Sequence, residues 1–255
     1  MLPFAAFFDL DGTLATRNQP PAAVDVEAMR AFQSRGNYLF LCTGRSTGYL
    51  YQSVLDIGFD GIIAGAGAYV SIGERVVYRT GVSKDILFPV QHAFESAEST
   101  LIMETERTMA QLASPAAKRL IPSYPRIHTA SQWLEQYADE TVSKLTVYGE
   151  IPTDILPFVE EHLDIIGHPN YIELVPRGCS KSSGIQKVLT ELHLPREQSI
   201  AFGDSMNDYD MLQYVGVGVA MGNAEDAVKA IADRITAPYD QGGVAQILHE
   251  YLKEM

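Results

Sequence analysis

Short apolar runs alternate with amphipathic segments along the first part of the chain. Residues 4–8 and 38–42 are continuous apolar runs, and this pattern is typical of strands that are buried on both faces of a parallel sheet. Between them, apolar residues at 22, 26 and 29 keep helical spacing, and Gly36 can take the left-handed conformation that ends a helix. The pattern therefore predicts strand, helix and strand, the first unit of a right-handed parallel βαβ winding.

The same alternation returns towards the end of the chain. Four apolar residues between Ile185 and Leu192 keep the i, i+3, i+4, i+7 spacing of a buried helix face. The further elements predicted by such patterns are a helix at 46–57, strands at 61–64, 199–202 and 215–220, and a last helix at 244–251. Residues 1–81 and 178–255 are therefore expected to form one α/β domain with a mostly parallel sheet.

The middle of the chain differs from both ends in composition. Residues 82–177 hold 8 of the 13 prolines but only 2 of the 20 glycines. The patterns in this segment predict strands at 144–148 and 172–175 and helices at 85–97 and 154–161. This mixed order indicates an α+β domain, inserted between the two halves of the first one.

Composition and charge narrow the classes of function. The chain has 255 residues, of which 46% are apolar, enough to build one large or two smaller domains. Its 19 Lys and Arg against 32 Asp and Glu give a net charge of -13, which disfavours nucleic acid and anionic membranes as partners. No apolar run approaches the roughly 18 residues of a spanning helix, the opening residues lack the basic segment of a secretion signal, and two cysteines are too few for a disulfide framework. A cytoplasmic protein is therefore expected.

Two carboxylates follow the first predicted strand at once. Asp9 and Asp11 are separated by one residue, and Gly12 lets the chain turn sharply after them. Because ligands of open α/β sheets bind at the carboxyl ends of the strands, this position favours a site over a simple turn. A calcium-binding loop is the competing interpretation, but it requires a third carboxylate or an amide at position 13 and Glu at position 20, where this chain has Thr13 and Pro20.

A second acidic segment, 203–208, follows the strand predicted at 199–202 and contains Asp204, Asn207 and Asp208. Taken alone, such a segment is more often a turn than a site. If the strands that precede the two acidic segments are neighbours, however, Asp9, Asp11 and Asp204 converge. An oxygen-only set of this kind suits Mg²⁺.

Groups that bind phosphate occur at two further places. Thr43, Gly44 and Arg45 follow the second strand and offer a hydroxyl, a backbone that a ligand can approach and a guanidinium. Lys181 lies at the start of a predicted helix, where free N–H groups add to its attraction for an anion. A solvated turn and a solvated lysine are the structural alternatives for these groups.

Residues 44–48 also match G-x-S-x-G, the nucleophile motif of α/β-hydrolases. That motif normally follows several strands, whereas only one clear strand precedes Ser46. The histidine of a triad would have to be His193 or His249, and both are predicted on helix faces. The serine-hydrolase interpretation is therefore disfavoured.

Taken together, DLDGT at 9–13, TGR at 43–45, Lys181 and GDSMND at 203–208 resemble the four ordered motifs of the haloacid dehalogenase superfamily. The position and length of 82–177 resemble the cap of its Cof-type sugar-phosphatase branch, as does the tail AMGNAEDAVKAIADRIT. The resemblance implies a Rossmann-like, mostly parallel three-layer α/β core, formed by 1–81 and 178–255, with an inserted α+β cap that sets substrate specificity.

The resemblance also implies a Mg²⁺-dependent phosphatase of small phosphorylated metabolites. Asp9 would attack phosphorus and form an aspartyl-phosphate, and Asp11 would act first as general acid and then as general base. The expected ligands of Mg²⁺ are the carboxylates of Asp9 and Asp204 and the backbone carbonyl of Asp11. The residues expected to bind phosphate are Thr43, Gly44, Lys181 and Asn207, with Arg45 and Asp208 in support.

One position departs from the pattern of the branch. Ala66 stands where members of the branch usually carry Asn, so a polar contact near the phosphate is expected to be missing. This substitution keeps a second hypothesis open, in which the same fold serves a phosphotransferase, a mutase or a non-hydrolytic sensor of a phosphorylated ligand.

Overall fold

The structure is a computed structural model that describes residues 2–16 and 19–254. Within these ranges the chain divides into two compact units. The first unit comprises 2–45, 50–79 and 180–254, and the second comprises 46–49 and 80–179. No helix in the described ranges is long and apolar enough to cross a membrane.

The first unit is built on an eight-stranded sheet. Its strands are β1 (Ala5–Phe8), β2 (Tyr38–Cys42), β3 (Gly61–Ala64), β4 (Tyr69–Ile72), β5 (Arg75–Arg79), β12 (Ser199–Gly203), β13 (Val217–Ala220) and β14 (Arg234–Ile235). They are arranged in the order β14-β13-β12-β1-β2-β3-β4-β5. The pairs from β14 to β3 are parallel, and β4 and β5 are antiparallel additions at one edge.

Helices cover both faces of this sheet. They are α1 (Ala23–Ser34), α2 (Gln52–Leu55), α6 (Lys181–Glu191), α7 (Tyr209–Tyr214), α8 (Asp226–Lys229) and α9 (Gly243–Glu254). Side chains of β1 alternate between two apolar clusters: Ala6 and Phe8 pack with α1 and α9, and Ala5 and Phe7 pack with α6 and α7. Because both faces of β1 are covered, its burial is complete, as its continuous apolar run predicts. The mostly parallel α/β fold predicted from the sequence is confirmed.

The second unit contains a six-stranded sheet in the order β10-β11-β9-β6-β7-β8. The strands are β6 (Thr100–Glu104), β7 (Met109–Ala113), β8 (Arg126–Ile127), β9 (Lys144–Tyr148), β10 (Leu163–Gly167) and β11 (Ile172–Pro176), and the helices are α3 (Lys84–Phe94), α4 (Ala130–Tyr137) and α5 (Leu156–His162). Neighbouring strands are antiparallel except for β7 and β8. The helices pack on one face, where Val90, Trp133 and Val159 share an apolar core with Leu101 and Leu145.

Two segments between β2 and β5 differ from the prediction. The helix predicted at 46–57 is a 3₁₀ turn, Thr47–Tyr49, followed by the single-turn helix α2, because Tyr51 between them is extended. The hairpin of β4 and β5 was not predicted. Its two-residue connection contains Gly73, which has a positive φ of 56°, as is typical of a tight hairpin turn.

Candidate active site

The order of the central strands brings three segments of the predicted site to one edge of the sheet. β1 lies between β12 and β2 and is parallel to both. Asp9 follows β1, Thr43 follows β2 and Asp204 follows β12, so all three residues leave the sheet at its carboxyl edge. The condition on which convergence depended, that these strands are neighbours, is met.

Three carboxylates meet at this edge. One oxygen from each of Asp9, Asp204 and Asp208 lies within 4.8 Å of the others. Asp204 Oδ1 also accepts a hydrogen bond of 3.2 Å from the Thr13 hydroxyl. Gly12 makes room for this group, since a Cβ at its position would lie 2.3 Å from Asp204 Oδ2, and its φ of 91° also favours glycine.

Lys181 supplies the positive charge of the cluster. It is the first residue of α6, which begins with a capping box between Ser180 and Ser183. Its Nζ lies 2.6 Å from Asp9 Oδ1 and 2.6 Å from Asp208 Oδ1, and the Lys181 side chain is only 1% exposed. The ammonium therefore bridges two carboxylates that belong to different strand ends.

Asn207 and Asp208 hold the cluster together. Lys181 Nζ donates a third hydrogen bond of 3.0 Å to Asn207 Oδ1. Asp208 Oδ2 accepts hydrogen bonds from the backbone N–H groups of Asp204 (2.8 Å) and Ser205 (3.0 Å). Both oxygens of Asp208 therefore have protein donors, which makes this carboxylate an organiser of the loop.

The crowding of like charges changes the protonation of the cluster. Burial, reinforced by the charge of Asp208, raises the pKa of Asp9 well above its ordinary value and that of Asp204 to about 7. Burial alone would lower the pKa of Lys181, but attraction to Asp208 and Asp9 outweighs it and the pKa is raised. One buried ammonium among three carboxylates leaves an excess of negative charge.

This excess predicts how stability depends on pH. Because the pKa of Asp204 is raised from 3.8 to about 7, the folded chain retains a proton that the unfolded chain releases. The free energy of unfolding of the protein in EDTA should therefore fall as pH rises from about 4 to about 7. Thermal unfolding between pH 5 and 8 measures this fall, and Asp204→Asn should make it shallower. Equal slopes in the two proteins would contradict the assignment.

The same donor set fits a divalent cation. Carboxylate oxygens are the ligands that Mg²⁺ and similar hard cations prefer. The geometric cluster consists of Asp9, Asp204 and Asp208, and a cation would offset the repulsion that, together with burial, raises the pKa values of Asp9 and Asp204.

The carboxylate of Asp11 lies apart from this cluster. It forms a two-pronged ion pair with Arg45, with Nε at 2.5 Å from Oδ2 and Nη2 at 2.8 Å from Oδ1. The guanidinium of Arg45, which was expected in support of phosphate binding, is therefore directed at Asp11. Tyr51 joins the pair, since its Oη lies 2.6 Å from Arg45 Nη2. No sequence motif singled out Tyr51.

Thr43 and Gly44 lie at the end of β2 as predicted, and both are buried. The Thr43 Oγ1 accepts a hydrogen bond of 3.1 Å from the backbone N–H of Arg45. Ala66, two residues beyond the end of β3, donates its backbone N–H to the Thr43 carbonyl oxygen at 3.2 Å. Ala66 adopts the left-handed conformation, with φ 51° and ψ 43°, a conformation that Asn tolerates more readily than Ala. The departure from the expected Asn thus falls at a strained position.

Ser46, the nucleophile of the disfavoured serine-hydrolase interpretation, is buried. Within the described residues its Oγ has no hydrogen-bond partner. A serine nucleophile needs a base within hydrogen-bond reach. The structure therefore gives this interpretation no support.

Comparison with known proteins decides the family. A family model described as haloacid dehalogenase-like hydrolase matches residues 6–248. The chain belongs to this family. The family predicted from four short motifs, and the Cof-type branch predicted from the insertion and the tail, are thus confirmed over residues 6–248.

Relatives of this haloacid dehalogenase-like hydrolase span its full length. The 5-amino-6-(5-phospho-D-ribitylamino)uracil phosphatase YitU of Bacillus subtilis (strain 168) is 29% identical over 273 residues, which cover 98% of this chain and 97% of the relative. The solved structure of the subclass IIB sugar phosphatase BT4131 has a TM-score of 0.81 and 25% identity, and the match covers 97% of this chain and 98% of that one.

A further solved structure, described as showing a trigonal-bipyramidal intermediate in a phosphoryl-transfer superfamily, has a TM-score of 0.83 and 25% identity. Its match covers 98% of this chain and 99% of that one. The fold of this haloacid dehalogenase-like hydrolase is thus shared with phosphoryl-transfer proteins along both units.

Proposed function

We propose that this protein hydrolyses small phosphorylated metabolites, such as sugar phosphates, with Mg²⁺ and through an aspartyl-phosphate intermediate. The family and the relatives make the chain a phosphatase of the haloacid dehalogenase-like family. The roles of Mg²⁺ and of an aspartyl-phosphate are supported by the residues of the site. The substrate class is supported by two relatives, whose names specify a phosphoribityl compound and a sugar phosphate.

The observation that carries the proposal is the setting of Asp9. Its carboxylate is buried at the end of the central strand, 2.6 Å from the Lys181 ammonium. Hydrolysis of a phosphate monoester is extremely slow without a catalyst, and its loose transition state leaves mainly positioning and charge to act on. A nucleophile fixed beside a buried cation supplies both.

In the proposed reaction an oxygen of Asp9 attacks phosphorus, and the bond from phosphorus to the leaving oxygen breaks. The electron pair of that bond goes to the leaving oxygen, which takes the proton of Asp11. Water then attacks the aspartyl-phosphate and transfers a proton to the Asp11 carboxylate. This second step releases inorganic phosphate and restores the Asp9 carboxylate.

The remaining residues bind and position the phosphoryl group. Lys181 would bind a phosphoryl oxygen together with the Thr43 hydroxyl and the Gly44 backbone, and Asn207 would orient the Lys181 ammonium through their 3.0 Å contact. Each of these groups offers a donor to an anion, as a phosphate site requires.

Mg²⁺ would be held by the carboxylates of Asp9 and Asp204 and by the backbone carbonyl of Asp11, with Asp208 as the supporting carboxylate. Bound there, it supplies positive charge that offsets both the carboxylate cluster and the phosphoryl oxygens. Burial, together with the charge of Asp208, raises the pKa of Asp204 to about 7, and this supports the assignment because a bound cation would relieve the repulsion.

The proposal is tested by phosphate release from glucose 6-phosphate, glycerol 3-phosphate, pyridoxal 5′-phosphate, flavin mononucleotide and p-nitrophenyl phosphate. We expect release with Mg²⁺, and loss of at least about 100-fold in EDTA, because removal of the cation leaves the developing charge unshielded. Reaction that continues in EDTA would contradict the metal requirement.

The same panel separates the alternatives. A mutase would pass the phosphoryl group to a second sugar, and a sensor would bind substrates without releasing phosphate. Absence of release from a folded, Mg²⁺-saturated sample would therefore favour those functions and direct attention to Ala66.

A further inference from the structure

Asp11, Arg45 and Tyr51 form a closed triangle of hydrogen bonds in the first unit. Arg45 binds both oxygens of Asp11, and its Nη2 also donates to Tyr51 Oη at 2.6 Å. Tyr51 Oη lies 3.3 Å from Asp11 Oδ1 and donates to it. The guanidinium carbon of Arg45 lies 4.5 Å from the centre of the Tyr51 ring.

Tyr51 thus restrains both partners of the ion pair. Its ring contacts the guanidinium, and its hydroxyl accepts from Arg45 while donating to Asp11. The restraint matters because the pair is partly exposed, with 30% of the Arg45 side chain and 44% of the Asp11 side chain accessible. A partly exposed pair is held weakly by its own charges, so a third group that fixes its geometry has a measurable effect.

We propose that Tyr51 is a positioning residue that fixes the Asp11 carboxyl group for protonation of the leaving group. The inference rests on the proposed function, in which Asp11 transfers its proton to the leaving oxygen. It goes beyond it by assigning a role to a residue outside the four motifs, one that acts through Arg45 and Asp11.

The physical reason is the strict geometry of proton transfer. A general acid must lie within hydrogen-bond reach of the leaving oxygen, and a small misplacement costs much of its contribution of about 10²–10⁴ in rate. The hydroxyl of Tyr51 contacts both Arg45 Nη2 and Asp11 Oδ1, so it holds the guanidinium and the Asp11 carboxyl group in one arrangement.

The test compares two leaving groups. p-Nitrophenolate departs readily without a proton, whereas an alkoxide requires one. We expect Tyr51→Phe to lower kcat/KM for the most rapidly hydrolysed alkyl phosphate among glucose 6-phosphate, glycerol 3-phosphate and pyridoxal 5′-phosphate. The expected loss is about tenfold larger than the loss for p-nitrophenyl phosphate. kcat/KM is the appropriate constant, because it covers the step in which the leaving group departs.

A double-mutant cycle tests whether Tyr51 acts through Asp11. In the background of Asp11→Asn, Tyr51→Phe should cause no further loss of kcat/KM for the alkyl phosphate, because the effects of substituting residues that act as a unit do not add. Tyr38→Phe, which removes a hydroxyl from the start of β2, is the matched control and should not alter the ratio of alkyl to aryl activity.

Several outcomes would overturn the inference. An unchanged ratio of alkyl to aryl activity, or a full additional loss in the Asp11→Asn background, would each show that Tyr51 does not position the acid. If Tyr51→Phe unfolds, Arg45→Lys is measured in its place, and the same selective loss is expected because Lys cannot form the two-pronged contact. Failure of the proposed function is distinguishable, since the unmodified protein would then release no phosphate from p-nitrophenyl phosphate.

Discussion

Asp9→Asn is expected to reduce phosphate release by about 10⁴-fold or more, the scale of loss when a covalent nucleophile is removed. The amide keeps the shape of the side chain and its contact with Lys181, but it cannot attack phosphorus. Because the substitution also removes one of three crowded carboxylates, the variant should remain folded, with a thermal midpoint at or above that of the unmodified protein. Phosphate release and thermal unfolding measure the two effects.

Asp25→Asn is a matched control for this substitution. Asp25 is also buried, at 1% exposure, but its Oδ1 accepts from the backbone N–H of Ala245 at the start of α9. The Asp25→Asn variant should release phosphate as fast as the unmodified protein. Asp9→Ala removes any regeneration of the carboxylate by slow deamidation of Asn and should be as inactive as Asp9→Asn. Activity of either Asp9 variant within tenfold of the unmodified protein would exclude Asp9 as the nucleophile.

Lys181→Met is expected to lower the free energy of unfolding by about 3–5 kcal/mol and to abolish phosphate release. Lys181 is the shared partner of Asp9 and Asp208, whose side chains are 6% and 0% exposed. Removing one member of a buried pair leaves an uncompensated buried charge, and here two carboxylates lose their partner. Urea unfolding in EDTA at pH 8 measures the change.

The pH dependence of Lys181→Met provides its internal check. Without the ammonium, protonation of Asp9, whose pKa is already raised by burial and by the charge of Asp208, relieves the repulsion, so the loss of stability should be smaller at pH 5 than at pH 8. Lys187→Met, on the same helix, is the control: its ammonium lies 4.2 Å from the centre of the Tyr78 ring and away from the carboxylate cluster. If Lys181→Met lowered the free energy of unfolding only as much as Lys187→Met does, the role of Lys181 would be contradicted.

Much of the first unit follows from local patterns. β1 and β2 are apolar throughout because both faces of the parallel sheet are covered, and such strands stand out in a sequence. The motif residues follow these strands directly, so their arrival at one edge of the sheet needs only the rule that parallel strands end together. What the pattern could not supply was the order β12-β1-β2, which decides that Asp9 lies between the other two.

The second unit was less accessible to the same reasoning. β9 was predicted with the bounds that the structure has, and α3 and α5 were predicted within a few residues of theirs. β6, β7 and β10 were not predicted, because strand propensity depends on packing against cross-strand neighbours and on burial more than on the residues of the strand itself. The assignment of this segment as a cap that sets substrate specificity stays a prediction.

The sequence by itself determined the family, the α/β class and the identity of the residues that carry the proposed chemistry, because four short motifs encode charge and turn geometry locally. Only the tertiary structure decided how these residues are paired. Lys181 lies between Asp9 and Asp208 because α6 and β12 pack beside β1, and Tyr51 reaches Asp11 because its extended backbone separates a 3₁₀ turn before it from the short helix α2 after it. Contacts between residues as far apart as 9 and 181 arise from packing of the whole sheet and its helices, and no local pattern specifies them.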